Sequence, residues 1–142
     1  MTEQLEINLK LTNDKVQFMG SSRSNPAVTC DYFPPIGDGE GYTGLELLLL
    51  SLAACSATAI VVLLRKMRKT VSGFAVHASG TRQEQPPTAF EKIHLEFTLH
   101  SPDAGDADMH KALELAEKTV CPVWAMLKNN VEVTPAFHII TS

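Results

Sequence analysis

The sequence predicts an α+β domain over residues 1–142 with the element order β-β-β-α-β-β-α-α-β. Three features predict it. Leu5, Ile7, Leu9 and Leu11 alternate with Glu6, Asn8 and Lys10, the period of a half-covered strand. Residues 45–64 are almost unbroken in apolar side chains, which is helix length rather than strand length. Alternation then returns, and helical spacing closes the pattern before a last strand.

Taken in order, Asn13-Asp14 marks a turn after the first strand, and Val16 and Phe18 carry the second. A loop over residues 21–26 leads to a third strand, with Val28, Cys30 and Tyr32 on one inward face. Residues 34–41 are too rich in Pro and Gly for regular structure. The apolar stretch that follows is interrupted only by Glu46, Ser51, Ser56 and Thr58. Its length of about 20 residues would suit a bilayer. The early Glu46 and the amphipathic strands on both sides favour a core helix instead. A helix apolar all round is buried, and so small a domain can hardly surround it alone, so a homodimer is expected. The cationic run Arg65-Lys66-Met67-Arg68-Lys69 is read as a helix C-terminus.

Phe74, Val76 and Ala78 alternate with Ala75, His77 and Ser79. Beyond Pro86-Pro87, Ile93, Leu95, Phe97 and Leu99 alternate with polar neighbours, so the two strands read as a hairpin. Capping residues over 103–108 precede Met109, Ala112, Leu113 and Ala116 at helical spacing. Pro122 opens a further helix, and Val131, Val133, Phe137 and Ile139 mark the last strand.

Composition narrows the function classes. A formal net charge of -4 offers no basic excess for a nucleic-acid backbone. Met1-Thr2-Glu3-Gln4 leads straight into the first strand without a signal-peptide pattern, so a cytoplasmic setting with reduced thiols is expected. Three cysteines, with no C-x-x-C and no zinc spacing, do not make a disulfide framework. Neither a metal nor a bound cofactor is expected.

Cys30 reads as a core residue. Cys121 stands directly before a helix opening with Pro122, where unpaired N–H groups favour a thiolate, so local physics makes it the more acidic thiol. Cys55, inside the long helix among Ser51, Leu52, Thr58 and Ala59, is left undecided. His77, His94, His100 and His110 are read as solvent-facing. A metal site from His77 and His94 lacks a clear third ligand. Trp124 either walls a pocket or packs in the core or dimer, while Phe90, Phe97 and Phe137 read as core.

The run Gly44-Leu45-Glu46-Leu47-Leu48-Leu49-Leu50-Ser51-Leu52-Ala53-Ala54-Cys55 resembles the helix signature of the OsmC/Ohr family, Pro-x-Glu-Leu-Leu-Leu-x-x-Leu-x-x-Cys. Cys121-Pro122-Val123, followed by Ala125-Met126-Leu127, resembles that family's second signature. Together with the element order, the resemblance covers nearly the whole chain. It implies an intertwined homodimer with a long buried central helix and a thiol peroxidase acting on organic hydroperoxides. It further implies that Cys55 attacks the peroxide and becomes a sulfenic acid, that Cys121 resolves it as a disulfide, and that an external dithiol resets the pair. An apolar pocket would suit such a substrate.

Peroxidases of the family also use an Arg near the start and a Glu just before the helix. Arg23, set in Gly20-Ser21-Ser22-Arg23-Ser24, is the only arginine available for the first role. Glu46 stands nine residues before Cys55, on the opposite side of a regular helix at about 100° per residue. It could reach the thiol only from the other subunit or through a distorted first turn, or it could serve as a charge at the helix N-terminus. Gly44 stands where the signature has Pro. Two alternatives share the fold: a redox-responsive or thiol-exchange protein using the same pair, and a non-enzymatic binder of an apolar ligand.

Overall fold

The computed structural model describes residues 3–142; Met1 and Thr2, at the head of the expected domain, lie outside the described residues. The elements are β1 (Asn8–Leu11), β2 (Phe18–Ser21), β3 (Val28–Cys30), α1 (Gly44–Lys66), β4 (Gly73–Arg82), β5 (Phe90–His100), α2 (Asp106–Leu115), α3 (Pro122–Leu127) and β6 (Glu132–Ile140). Their order is the predicted one, with a π-turn over Ala116–Val120 added between α2 and α3. The chain falls into two compact units, Met1–Leu48 and Leu49–Ser142, the division lying inside α1.

In the N-terminal unit β1, β2 and β3 form an antiparallel meander. The β1–β2 turn is organised by Asn13, whose Oδ1 accepts from the Lys15 and Gln17 N–H groups at 2.9 and 3.0 Å. Val16 lies in this bend, so β2 starts later than the alternation predicts. β1 also begins at Asn8, not Leu5, because its pairing stops at Asn8↔Ser21, where β2 ends. Half-burial of the first strand is not met within this chain: Leu5, Ile7, Leu9 and Leu11 are 84, 70, 53 and 49% exposed.

Tyr32 is likewise outside β3, because Asp31 turns the chain. The Asp31 N–H donates to the Tyr42 carbonyl at 3.0 Å. Its buried carboxylate accepts from the N–H groups of Tyr32 (2.7 Å), Asp38 (3.3 Å) and Glu40 (3.1 Å). One side chain thereby pins the whole Pro/Gly-rich loop. A Cβ at Gly37 would strike the Asp31 carboxylate and the Tyr32 backbone, so the close approach demands glycine. Cys30, expected in the core, is half-buried and lines an open groove of about 380 Å³ with Ile7, Leu9, Val28 and Leu47. The three-stranded meander has nothing of its own within the unit to cover that face.

In the C-terminal unit the sheet order is β4-β5-β6, with β4–β5 antiparallel and β5–β6 parallel. The parallel pair requires a crossover, which α2, the π-turn and α3 supply. Ile93, Leu95, Phe97 and Leu99 are buried as their alternation predicts. The register slips between Thr81 and Arg82, so that Lys92 and Phe90 face consecutive residues of β4. This bulge turns Phe90, rather than Glu91, into the core. Pro135 sits on β6, an edge strand that tolerates the missing N–H.

Leu52, Ser56, Ala59, Ile60 and Leu64 of α1 are buried, and the Ser56 hydroxyl donates to the Leu52 carbonyl at 2.8 Å. Within a single chain α1 is covered on one face only. Leu50 and Val62 are exposed, because a single three-stranded sheet offers the helix only one apolar face. By length and composition α1 could also cross a membrane. Arg65 and Lys66 occupy its last turn, and Arg68 closes it with φ 62 while the Lys69 N–H caps the Leu64 carbonyl at 3.0 Å.

Candidate functional site

Within the C-terminal unit the fold brings together Cys55, at mid-length on α1, and Cys121, the N-cap residue of α3. The two thiols are neighbours: Cys55 raises the Cys121 pKa, and its pocket is lined by Val120 and Pro122, the residues on either side of Cys121. Both are free. Cys55 is half-buried and lines a pocket of about 320 Å³ together with Thr58, Ala59, Val62, Val120 and Pro122. Cys121 is only 2% exposed.

Two local devices hold Cys121. The π-turn closes with its N–H donating to the Ala116 carbonyl, five residues back, at 2.9 Å. Pro122 then starts α3 at the position where a missing N–H costs nothing, and the Trp124 N–H donates to the Cys121 sulfur at 3.4 Å. Trp124 is itself buried, so it packs in the core and does not wall the pocket.

The expectation that the helix terminus makes Cys121 an acidic thiol is not met. Burial, followed by the neighbouring Cys55 thiol, pushes its pKa from 9.0 up to about 11, and the N–H groups of Trp124 and Val123 only partly oppose this. The helix terminus was legible in the sequence; the burial was not. Cys121 is therefore a protonated thiol at neutral pH, and Cys55 is the sulfur that meets the pocket.

Arg23 and Glu46 belong to the N-terminal unit. Arg23 sits exposed in the turn after β2 with φ 57. Glu46 forms a capping box with Thr43: the Thr43 N–H donates to Glu46 Oε1 at 2.9 Å, and the Glu46 N–H donates to Thr43 Oγ1 at 3.2 Å. Gly44 is then the first helical residue. Val62 and Val120, which complete the pocket, had no signal in the sequence beyond apolarity.

Of the histidines, His77 and His110 are exposed as expected, whereas His94 and His100 are half-buried. His94 contacts Thr134 Oγ1 at 2.7 Å and Glu96 Oε1 at 2.9 Å, and His110 meets the half-buried Phe137 edge-on. Among the described residues no group of three or more His, Cys, Asp or Glu gathers as a metal site.

Comparison with known proteins bears on the family and the fold. The family model described as OsmC-like protein matches residues 37–136. Over 125 residues the chain is 29% identical to Protein YhfA of Escherichia coli (strain K12), covering 88% of this chain and 91% of that protein. A crystal structure from Aquifex aeolicus VF5 superposes with a TM-score of 0.86 at 24% identity, covering 98% of both chains. An organic hydroperoxide resistance protein from Elizabethkingia anophelis superposes with a TM-score of 0.71 at 16% identity, covering 99% of this chain and 100% of that one. At these identities the two structures speak for the fold alone. With the family model spanning well over half of its length, the chain belongs to the OsmC-like protein family.

Proposed function

We propose that the protein is a thiol peroxidase that reduces organic hydroperoxides through Cys55 and Cys121. The observation that carries this reading is a pair of free, neighbouring thiols of unequal access, one lining an apolar pocket and one buried. The name of the Elizabethkingia relative, an organic hydroperoxide resistance protein, is in keeping with it.

In the first step the Cys55 thiolate attacks the terminal oxygen of ROOH. The O–O bond breaks, the alkoxide takes a proton and leaves as ROH, and Cys55 becomes a sulfenic acid. In the second step the Cys121 sulfur attacks the Cys55 sulfur, an S–S bond forms, and the hydroxyl leaves with the Cys121 proton as water. An external dithiol then gives up two electrons and two protons, restoring both thiols. Cys121 fits the second role because it is buried beside Cys55 while Cys55 lines the pocket, so a hydroperoxide entering there meets Cys55 first. No metal or bound cofactor enters these steps. The place of Glu46 in the capping box supports a structural role for that carboxylate.

Two further parts of the proposal rest on exposure and chemistry. The exposed run Leu5, Ile7, Leu9 and Leu11 and the exposed Leu50 on α1 favour a homodimer. A cytoplasmic setting fits a cycle that needs a dithiol reductant.

The test is consumption of cumene hydroperoxide by the reduced protein with dithiothreitol. Turnover that disappears in Cys55→Ser is the expected result. Wild-type protein that consumes no hydroperoxide while both thiols stay titratable would sink the peroxidase reading.

A further inference from the structure

Cys55, at mid-length on α1, and Cys121, at the N-cap of α3, are free thiols held as neighbours by two helices. Val120 and Pro122, on either side of Cys121, line the pocket that holds Cys55. What surrounds the pair limits what it can bind. Ala59 and Val62 bring only hydrocarbon to the pocket, and the Thr58 hydroxyl is turned back onto the Ala54 carbonyl at 2.8 Å. Among the described residues no third His, Cys, Asp or Glu joins the two sulfurs as a metal ligand. The side-chain donor set is two thiols in an apolar setting.

That set sorts the metals. Zinc takes four protein ligands at a structural site and three with a water at a catalytic one, so two thiols fall short. Calcium and magnesium require oxygen. Thiolate sulfur is soft and selects soft ions, monovalent copper among them. Cuprous ion has a filled d shell and a single positive charge, so two thiolates in line complete its coordination without water or oxygen. The apolar walls suit an ion with that demand. The Trp124 N–H donates to the Cys121 sulfur at 3.4 Å, an outer contact of the kind that orients a ligand, and Trp124 is itself fixed by burial.

We propose that Cys55 and Cys121 together form a two-sulfur binding site for monovalent copper. Binding breaks two S–H bonds and makes two Cu–S bonds. Both protons pass to solvent, and neither copper nor sulfur changes oxidation state. The site takes one ion per chain and passes over zinc. It does not rest on the peroxidase reading, but the two uses exclude each other, since copper on both sulfurs occupies the groups a peroxide would oxidise.

The test is run without peroxide and without oxygen. Reduced full-length protein, as it assembles in solution, is titrated into the coloured bicinchoninate complex of monovalent copper, and loss of colour measures transfer to the protein. One ion per chain is expected. Cys55→Ser and Cys121→Ser should each lose the transfer, and Cys30→Ser should keep it. The coloured pyridylazoresorcinol complex of zinc should retain its metal. Two readouts on the wild-type chain need no variant to fold. X-ray absorption at the copper edge should show two sulfur neighbours, and copper should protect Cys55 from N-ethylmaleimide while Cys30 is labelled to the same extent with and without it. No transfer, transfer that survives Cys55→Ser or Cys121→Ser, nitrogen or oxygen bound to the copper, or equal capture of zinc each overturns the proposal. A protein that takes up copper in this way but consumes no hydroperoxide keeps the metal site and loses only the peroxidase reading.

Discussion

Cys121 is buried beside Cys55, and burial, followed by that neighbouring thiol, raises its pKa although its sulfur stands at the N-terminus of α3. Burial outweighs the helix terminus there. The consequence is measurable without any substrate.

Cys121 in the intact fold should titrate near pH 11 rather than 9.0. In Cys55→Ala the thiol loses its neighbour, the second cause of the shift, and its midpoint should fall while staying above 9.0, because burial comes first. The sign for stability follows. The folded state favours the protonated thiol, so its contribution is complete below the unfolded value of 9.0 and is lost as pH rises through about 11. Thiolate absorbance in the ultraviolet, against the Cys121→Ser variant, measures the midpoint. A midpoint at or below 9.0 would contradict the buried arrangement.

The start of α1 provides an independent check. Thr43→Ala removes one half of the capping box and should cost about 1 kcal/mol in urea unfolding. Gly44→Pro should act in the opposite direction. A Cβ at Gly44 meets nothing within 4 Å, and proline is favoured at a first helical position. A gain of about 0.5–1 kcal/mol is expected through the unfolded chain. A loss would show that the Gly44 N–H or backbone is used.

The order of strands and helices was legible because each element carries its own period, and so was the Cys55–Cys121 pair through its two flanking signatures. What was not legible depends on neighbours distant in sequence. β1 stops short of Leu5 because the facing strand turns away after Ser21, a fact of pairing rather than of periodicity. Phe90 enters the core because a bulge slips the register at Thr81/Arg82, and alternation alone would have sent Glu91 there. The protonated state of Cys121 follows from burial. The π-turn before it interrupts a helical pattern without any residue that announces it.

Asp31 should make the N-terminal unit sensitive to acid. Desolvation by itself raises its pKa, but the N–H groups of Glu40, Tyr32 and Asp38 together outweigh that cost, and the carboxyl lies below its usual 3.8. A depressed value in the folded state means that the stabilisation is present above about 3.8 and fades as pH falls through the lower folded value. Asp31→Asn should therefore weaken protection of the Glu40 amide against hydrogen exchange at neutral pH. The difference from wild type should close in strong acid. A difference independent of pH would assign the effect to shape and not to charge.

Gly80 and Phe90 test the bulge directly. Gly80 faces Ile93 across the β4–β5 ladder, yet the ring that lies over it is that of Phe90. A Cβ on residue 80 would run into that ring, and the ring is buried, so it has little room to withdraw. Gly80→Ala should destabilise the C-terminal unit by about 1–3 kcal/mol, the usual cost of overpacking. Strand propensity alone predicts the opposite, since alanine restricts the unfolded chain more than glycine does. The double variant Gly80→Ala/Phe90→Leu separates the two effects. If the clash is the cause, its combined cost in urea unfolding will be smaller than the sum of the single costs, by an amount outside the few tenths of a kcal/mol expected of independent sites. Strict additivity would mean that Phe90 does not occupy the space above Gly80, and the register slip that puts it there would have to be abandoned.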